Sequence, residues 1–260
     1  MERCRRAFTS SEYWIRCWIE DGLRDRDPKK LGKIAILILG GGFTLIPRAL
    51  GDSVDDISGA FTTIRVWRLR DADISLLAIG GGSWYVEAAL AMLCQSPVER
   101  IYALGWCGSV KKDVDIGNIV VAYAAIRGDA ASPRYVPLEY PATSDPIDAV
   151  DLFRYLKSKG FRTHLGYVYT TSSHMREREI LEQWKDLACC IEGEVATLYT
   201  IASLLRIPAT AALVVSDLLL EERRDPRKTA SVTNSLLKAI TDFALSKLRS
   251  PSSYGTPQRG

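Results

Sequence analysis

Three acidic residues stand where buried-strand patterns end. Glu192 and Glu194 flank Gly193 directly after the short apolar run at 188–191, and Asp217 follows Ser216 and the continuous, partly β-branched run at 209–215. A carboxylate at the mouth of an apolar strand is costly to keep there unless it has a partner or a task. Strand ends of open α/β sheets are also where side chains can face a crevice instead of the core. Two acids at one strand end and a third at the next would therefore converge on one pocket, a set suited to holding a polar ligand. The competing reading stays open: Asp217 caps the next segment, Glu192 and Glu194 are solvated, and any perturbation of their titration is structural.

Two glycine clusters are the second candidate. Gly40, Gly41 and Gly42 end the buried run at 33–39, and Gly80, Gly81 and Gly82 end the run at 74–79. Glycine there permits close backbone approach, and free amides can hold an anion. The spacing fits neither the dinucleotide fingerprint nor the Walker loop, so tight strand-to-helix turns account for the clusters equally well. Two strands with such ends suggest two walls of one cleft. A third polar group, His174, Met175 and Arg176, lies in the loop after the strand pattern at 162–173.

The elements that must position these residues follow from periodicity. Between the acids, Leu198, Ile201, Ala202 and Leu205 recur at three- and four-residue intervals, predicting a helix with one buried face over 195–205 before a turn at Pro208. Strand patterns at 61–69, 74–79 and 100–104 alternate with the small-residue helix at 85–94, and a further strand follows a turn at Gly117. A third turn is expected at 105–110. The segment 127–145 has no clear period and reads as a long, functional or flexible loop. A helix at 149–159 stops at Gly160, a charged helix follows Arg176, and a closing helix is expected from about 229 to 248. Strands alternating with helices predict one α/β layer sandwich. Residues 1–32 read as an N-terminal helical extension, with Trp14 and Trp18 four apart on one face; 33–249 form the domain, and 250–260 lack the apolar content to fold.

Composition narrows the class. The 260 residues are 47% hydrophobic and carry a net charge of only +3, too little to argue for nucleic acid or a membrane surface. No apolar run approaches the roughly 20 residues that span a bilayer. The cysteines at 4, 17, 94, 107, 189 and 190 have no CxxC pair and no His at ligand spacing, so reduced thiols in a cytoplasmic protein are expected, with no metal site. Cys189 and Cys190 read as buried small hydrophobes, and His164 as structural.

Five segments in order resemble the nucleoside phosphorylase superfamily, which includes uridine phosphorylase and the hexameric purine nucleoside phosphorylases. They are GGGSWYVEAAL, RIYALGWCGSVKKDVDIGNIVVAYAAIRGD, SPRYVPLEYPA, IEGEVATLY and VVSD, and the resemblance covers 33–217. The resemblance implies a single-domain three-layer α/β sandwich with a mixed central sheet. It also implies cleavage of the N-glycosidic bond of a purine or pyrimidine nucleoside with phosphate as co-substrate, no other cofactor, and assembly as a homodimer or hexamer. By the same resemblance Glu192, Gly193 and Glu194 would hold the ribose. Cys107, Gly108, His174, Arg176, Ser216 and Asp217 would surround the base, with Asp217 giving a proton to the departing base beside Glu194. Gly40, Gly41, Thr44 and Trp106 occupy the family's phosphate positions.

Departures concentrate at that phosphate. Thr44 and Ala103 stand where the family has arginines, and Trp106 where it has a small hydroxyl residue; Gly193 replaces a methionine against ribose and base. A hydrogen bond to a charged group is worth roughly 1.5 to 3 kcal/mol, so three lost donors would weaken phosphate by orders of magnitude. Arg48, Arg65, Arg68, Arg134 or a partner's arginine are the candidates for compensation. Besides a phosphorylase with a rearranged anion site, two alternatives follow: a phosphate-independent nucleosidase, against which stands the lack of an acid after the first glycine turn, and a non-catalytic nucleoside-binding paralogue or oligomer subunit.

Overall fold

The computed structural model describes residues 2–8 and 12–249; the tail expected to be unfolded lies outside the described residues. In chain order the elements are α1 (Glu2–Ala7), α2 (Glu12–Gly22), β1 (Ile34–Ile38), α3 (Leu45–Leu50), β2 (Val54–Asp56), β3 (Ile64–Leu69), β4 (Ile74–Ile79) and α4 (Ser83–Leu93). There follow β5 (Arg100–Ser109), β6 (Ile119–Gly128), β7 (Ala142–Thr143), α5 (Pro146–Ser158), β8 (Thr163–Thr171), α6 (Glu177–Trp184) and β9 (Cys190–Glu192). The chain continues with α7 (Val195–Leu205), β10 (Ala209–Leu218), β11 (Arg223–Arg224) and α8 (Pro226–Arg249).

The strands form one mixed sheet. β1 runs parallel to β4 and β5, and β10 is parallel to β5 but antiparallel to β6. β6 is parallel to β8, β8 to β9, and β9 returns antiparallel to β5. The pairings β5–β10–β6–β8–β9–β5 thus close on themselves, with β1, β4, β3 and β2 extending from the ring as an open wing. Side-chain alternation in β1 explains why both faces are covered. Ala35, Leu37 and Leu39 enter one core, which includes buried residues of α1, α2, α4 and α7; Ile34, Ile36 and Ile38 enter the other, with residues of α3, α5 and α8. Those are the three layers of an α/β sandwich.

Three local expectations are corrected. The turn expected at 105–110 is strand: β5 continues to Ser109 because β10 and β9 supply ladder partners for it. α7 buries almost its whole circumference, since α1 and α4 cover the sides the sheet leaves open. Trp14 and Trp18 share a face as their spacing predicts and line one small hollow with Trp84, but to different depths: Trp18 is buried and stacks on Phe61 at 4.7 Å, whereas Trp14 is 55% exposed. Finally, not all thiols are reduced. Cys4 on α1 and Cys94 at the C-terminal cap of α4 form a disulfide with Cα atoms 5.1 Å apart. Their separation of 90 residues gave no spacing signal, and folding of the N-terminal segment onto α4 and α7 brings them together. Cys189 and Cys190 are free thiols, and His164 is held by Asn118 at 3.0 Å.

Candidate active site

Strand ends and the turns after them converge on one cavity of about 870 Å³, and Glu194 and Asp217 both line it. The ends of β5, β8, β9 and β10 supply one side, and the glycine turns after β1 and β4 supply the other.

Glu192 and Glu194 are adjacent on this wall but differ in what they hold. Glu192 is buried, and its Oε2 accepts from the amides of Glu194 at 2.6 Å and Val195 at 2.8 Å. Its Oε1 accepts from the Thr170 hydroxyl, and the Thr170 oxygen in turn accepts from the Ala196 amide at 2.9 Å. Glu192 and Thr170 therefore satisfy amide donors at the start of α7 that have no intrahelical partner. Burial, and then the charge of Glu194, push the Glu192 carboxyl up to about 8. Glu194 is anchored from across the cavity by the Gly82 amide, which donates to its Oε1 at 2.6 Å. Burial raises its pKa, opposed by the Gly82 amide, the charge of His174 and the Gly193 amide.

Asp217 owes its aim to a bulge. In the β10–β5 ladder Val215 pairs with Cys107 and Asp217 with Gly108, leaving Ser216 as an extra residue. Regular alternation would send Ser216 and Asp217 to opposite faces; the bulge lets both line the cavity. The Ser216 hydroxyl donates to Asp217 Oδ1 at 2.5 Å, and a Cβ on Gly108 would lie 2.9 Å from Oδ2, so this close approach needs glycine. Burial raises the Asp217 pKa, with Glu177 adding to the rise, while Ser216, Arg224 and His174 oppose it.

His174 reaches the cavity and Arg176 does not. His174 Nδ1 pairs with Glu177 at 2.7 Å, which raises the imidazole pKa, and its Nε2 lies 3.3 Å from where a Cβ on Gly193 would stand. Gly193 thus vacates the space the imidazole leans over. Arg176, expected at the base, instead pairs with Glu179 one helical turn on, and its side chain is 66% exposed, away from the wall.

The expected phosphate residues are divided. Gly40 and Trp106 line the cavity; Gly41 does not, and its amide donates to Ile79 O at 2.7 Å, so it is spent on the turn. Thr44 lines a second hollow on the other side of Trp106. The indole packs against the first glycine turn, with a Cβ on Gly42 only 3.1 Å from the ring, and its Nε1 donates to Thr233 of α8 at 3.1 Å. Trp106 is thus a partition fastened at both edges. Of the compensating arginines, Arg65 pairs with Asp56 and Arg68 with Asp73, leaving Arg134 on the cavity wall and Arg48 on the second hollow.

Several wall residues were not singled out from sequence. Trp84 and Glu87 come from the first turns of α4, and the Tyr135 hydroxyl donates to Glu87 at 2.5 Å. Their spacing after GGG was the available signal. With them the cavity carries five carboxyls, Glu87, Glu177, Glu192, Glu194 and Asp217, against Arg134 and His174. Such a wall suits hydroxyl donors and a developing positive charge better than a free dianion.

A family model described as the phosphorylase superfamily matches residues 60–246. The match begins after the first glycine turn, which carries Thr44, and ends beyond Asp217. Uridine phosphorylase of Haemophilus influenzae is 26% identical over 179 residues, covering 63% of this chain and 69% of that protein. Guanosine phosphorylase of Halorubrum lacusprofundi is 28% identical over 132 residues, covering 50% of this chain and 55% of its own length. The fold is shared with a purine nucleoside phosphorylase from Toxoplasma gondii at TM-score 0.75 and 20% identity, covering 88% of this chain and 97% of that one. Matched over most of its length, this chain belongs to the phosphorylase superfamily, together with uridine and purine nucleoside phosphorylases.

Proposed function

We propose that this protein is a nucleoside phosphorylase, a glycosyltransferase that cleaves the N-glycosidic bond of a purine or pyrimidine nucleoside with phosphate. The observation that carries the reading is the presence of Glu194 and Asp217 on the wall of one cavity of nucleoside size. In the reaction an oxygen of phosphate bonds to the anomeric carbon while the bond from that carbon to the base nitrogen breaks, its electron pair leaving with the base. Glu194, steadied by Gly82, accepts hydrogen bonds from the ribose hydroxyls and sets negative charge beside the cationic sugar. Asp217, whose environment favours the protonated form, gives its proton to the departing base. His174, whose pKa the Glu177 carboxylate raises, offers a second donor at the base end. Glu192 acts through α7 as a positioning residue rather than touching ribose.

A homodimer or hexamer in the cytoplasm completes the reading. Tyr13 and Trp14 of α2 and Trp84 at the cavity wall are each more than half exposed, and they support a contact between copies near the site. A native mass of one chain would contradict it. A second reading, nucleoside binding without turnover, is favoured by Trp106 at the phosphate positions and by the excess of carboxyls over cations on the cavity wall. Release of base from a panel of purine and pyrimidine nucleosides, with and without phosphate, separates the two. Phosphate-dependent release is expected; release at the same rate without phosphate means hydrolysis, and binding without release means the second reading.

A further inference from the structure

The residue after Gly82, whose amide holds Glu194, is Ser83, which begins α4 and also lines the cavity. Its hydroxyl oxygen lies 2.9 Å from that of Thr197 in the first turn of α7, and the Thr197 oxygen lies 2.6 Å from Oδ2 of Asp129, just after β6. These three residues, 114 and 68 apart in sequence, were not singled out there. Thr197 and Asp129 are buried, so the few hydrogens among them must all be placed. Asp129 accepts from the Ser132 amide at 2.7 Å and from the Ser132 hydroxyl at 2.6 Å, and the Ser132 oxygen accepts from Arg127 Nε at 2.9 Å. A carboxylate ringed by donors only accepts, so the one hydroxyl hydrogen of Thr197 goes to Asp129. Towards Ser83 the Thr197 oxygen is then an acceptor. The single hydrogen of Ser83 is therefore spent inside the wall, and its oxygen has only lone pairs left to offer the cavity.

We propose that Ser83 is a second acceptor for a sugar hydroxyl beside Glu194, held to that role by Thr197 and Asp129. Ser83 touches the sugar, and Thr197 and Asp129 act through it as positioning residues. A hydroxyl free to rotate can meet either a donor or an acceptor and discriminates little. One whose hydrogen is fixed elsewhere favours only a group that donates to it, and a ligand lacking that group leaves the desolvated oxygen unpaired. The ligand selected in this way is a nucleoside with an intact ribose in preference to a deoxy sugar. The assignment rests on the nucleoside reading, because it needs a sugar at Glu194, but it does not depend on phosphate or on turnover. Either the 2′ or the 3′ hydroxyl can be the donor, and the two are separated by experiment.

Calorimetric titration of the full chain in phosphate-free buffer tests this, with inosine, uridine and the 2′-deoxy and 3′-deoxy forms of each as probes. In the native chain, loss of the hydroxyl that Ser83 serves is expected to weaken binding about three- to ten-fold. Ser83→Ala should weaken the ribonucleoside by that factor and abolish the penalty for one deoxy form, which identifies the hydroxyl; the other form, read by Glu194, keeps its penalty. Thr197→Val, which frees the Ser83 hydrogen, should shrink the same penalty at least about two-fold. Thr197→Ser, which keeps the hydroxyl, should leave it intact. A merely structural role would weaken all probes alike and leave both penalties in place. Ribonucleosides that bind with both deoxy penalties unchanged in Ser83→Ala overturn the proposal alone. A penalty lost in Ser83→Ala but unchanged in Thr197→Val overturns the role given to Thr197 and Asp129. If neither inosine nor uridine binds the native chain, the nucleoside reading is overturned and this assignment with it.

Discussion

At the scale of single residues, the site depends on which side chains are absent as much as on those present. Gly193 leaves the His174 imidazole room to lean over the carboxylates, so Gly193→Met is expected to displace it. Steady-state kinetics should then show a KM for nucleoside raised about ten-fold with kcat changed less, the signature of lost ground-state binding. Asp217 gives the pH dependence its sign. Its pKa is raised, so base release should fall as pH rises through that value and the proton is lost. The Ser216 hydroxyl opposes the rise, and Ser216→Ala should therefore move the falling limb of the pH–rate profile to higher pH. A limb that stays in place, or moves down, would remove Asp217 from the proton-donor role.

At the scale of elements, the start of α7 is where stability and function meet. Glu192 is protonated more readily in the folded chain than in the unfolded one, where a glutamate has its ordinary value near 4.5. The folded state thus binds more protons between the two values, and stability is greatest below the lower one. It declines as pH rises from about 4.5 towards about 8. Urea unfolding across that range should show this slope, and Glu192→Gln, which cannot ionise, should flatten it. The strand–helix–strand unit around α7 was legible in the sequence because apolar period and polar strand ends coincide there. The bulge at Ser216 was not, since its cause is the register of β10 against β5, a pairing between segments about a hundred residues apart. Arg176 and His174 looked equivalent in the chain; only the turn before α6 decides that one faces the cavity and the other faces Glu179.

At the scale of the molecule, the fold places an acidic cavity and a basic hollow on either side of one indole. The alternation of elements and the family motifs foretold the layers, yet not the ring that the strands close, because ring closure depends on β9 returning to β5. Nor did cysteine spacing reveal the Cys4–Cys94 bond, which ties α1 to the helix carrying Trp84 and Glu87. A bridge between residues so far apart in sequence restricts the unfolded chain, and Cys94→Ser should lower unfolding free energy by about 2–4 kcal/mol in urea titrations under oxidising conditions. An equal stability would mean the bond does not form in solution. The most direct test of the whole account is a crystal structure with a bound nucleoside. The account predicts ribose hydroxyls within about 3.2 Å of the Glu194 carboxylate and the base against Asp217 and His174. A nucleoside bound elsewhere, or with its ribose turned away from Glu194, would contradict it.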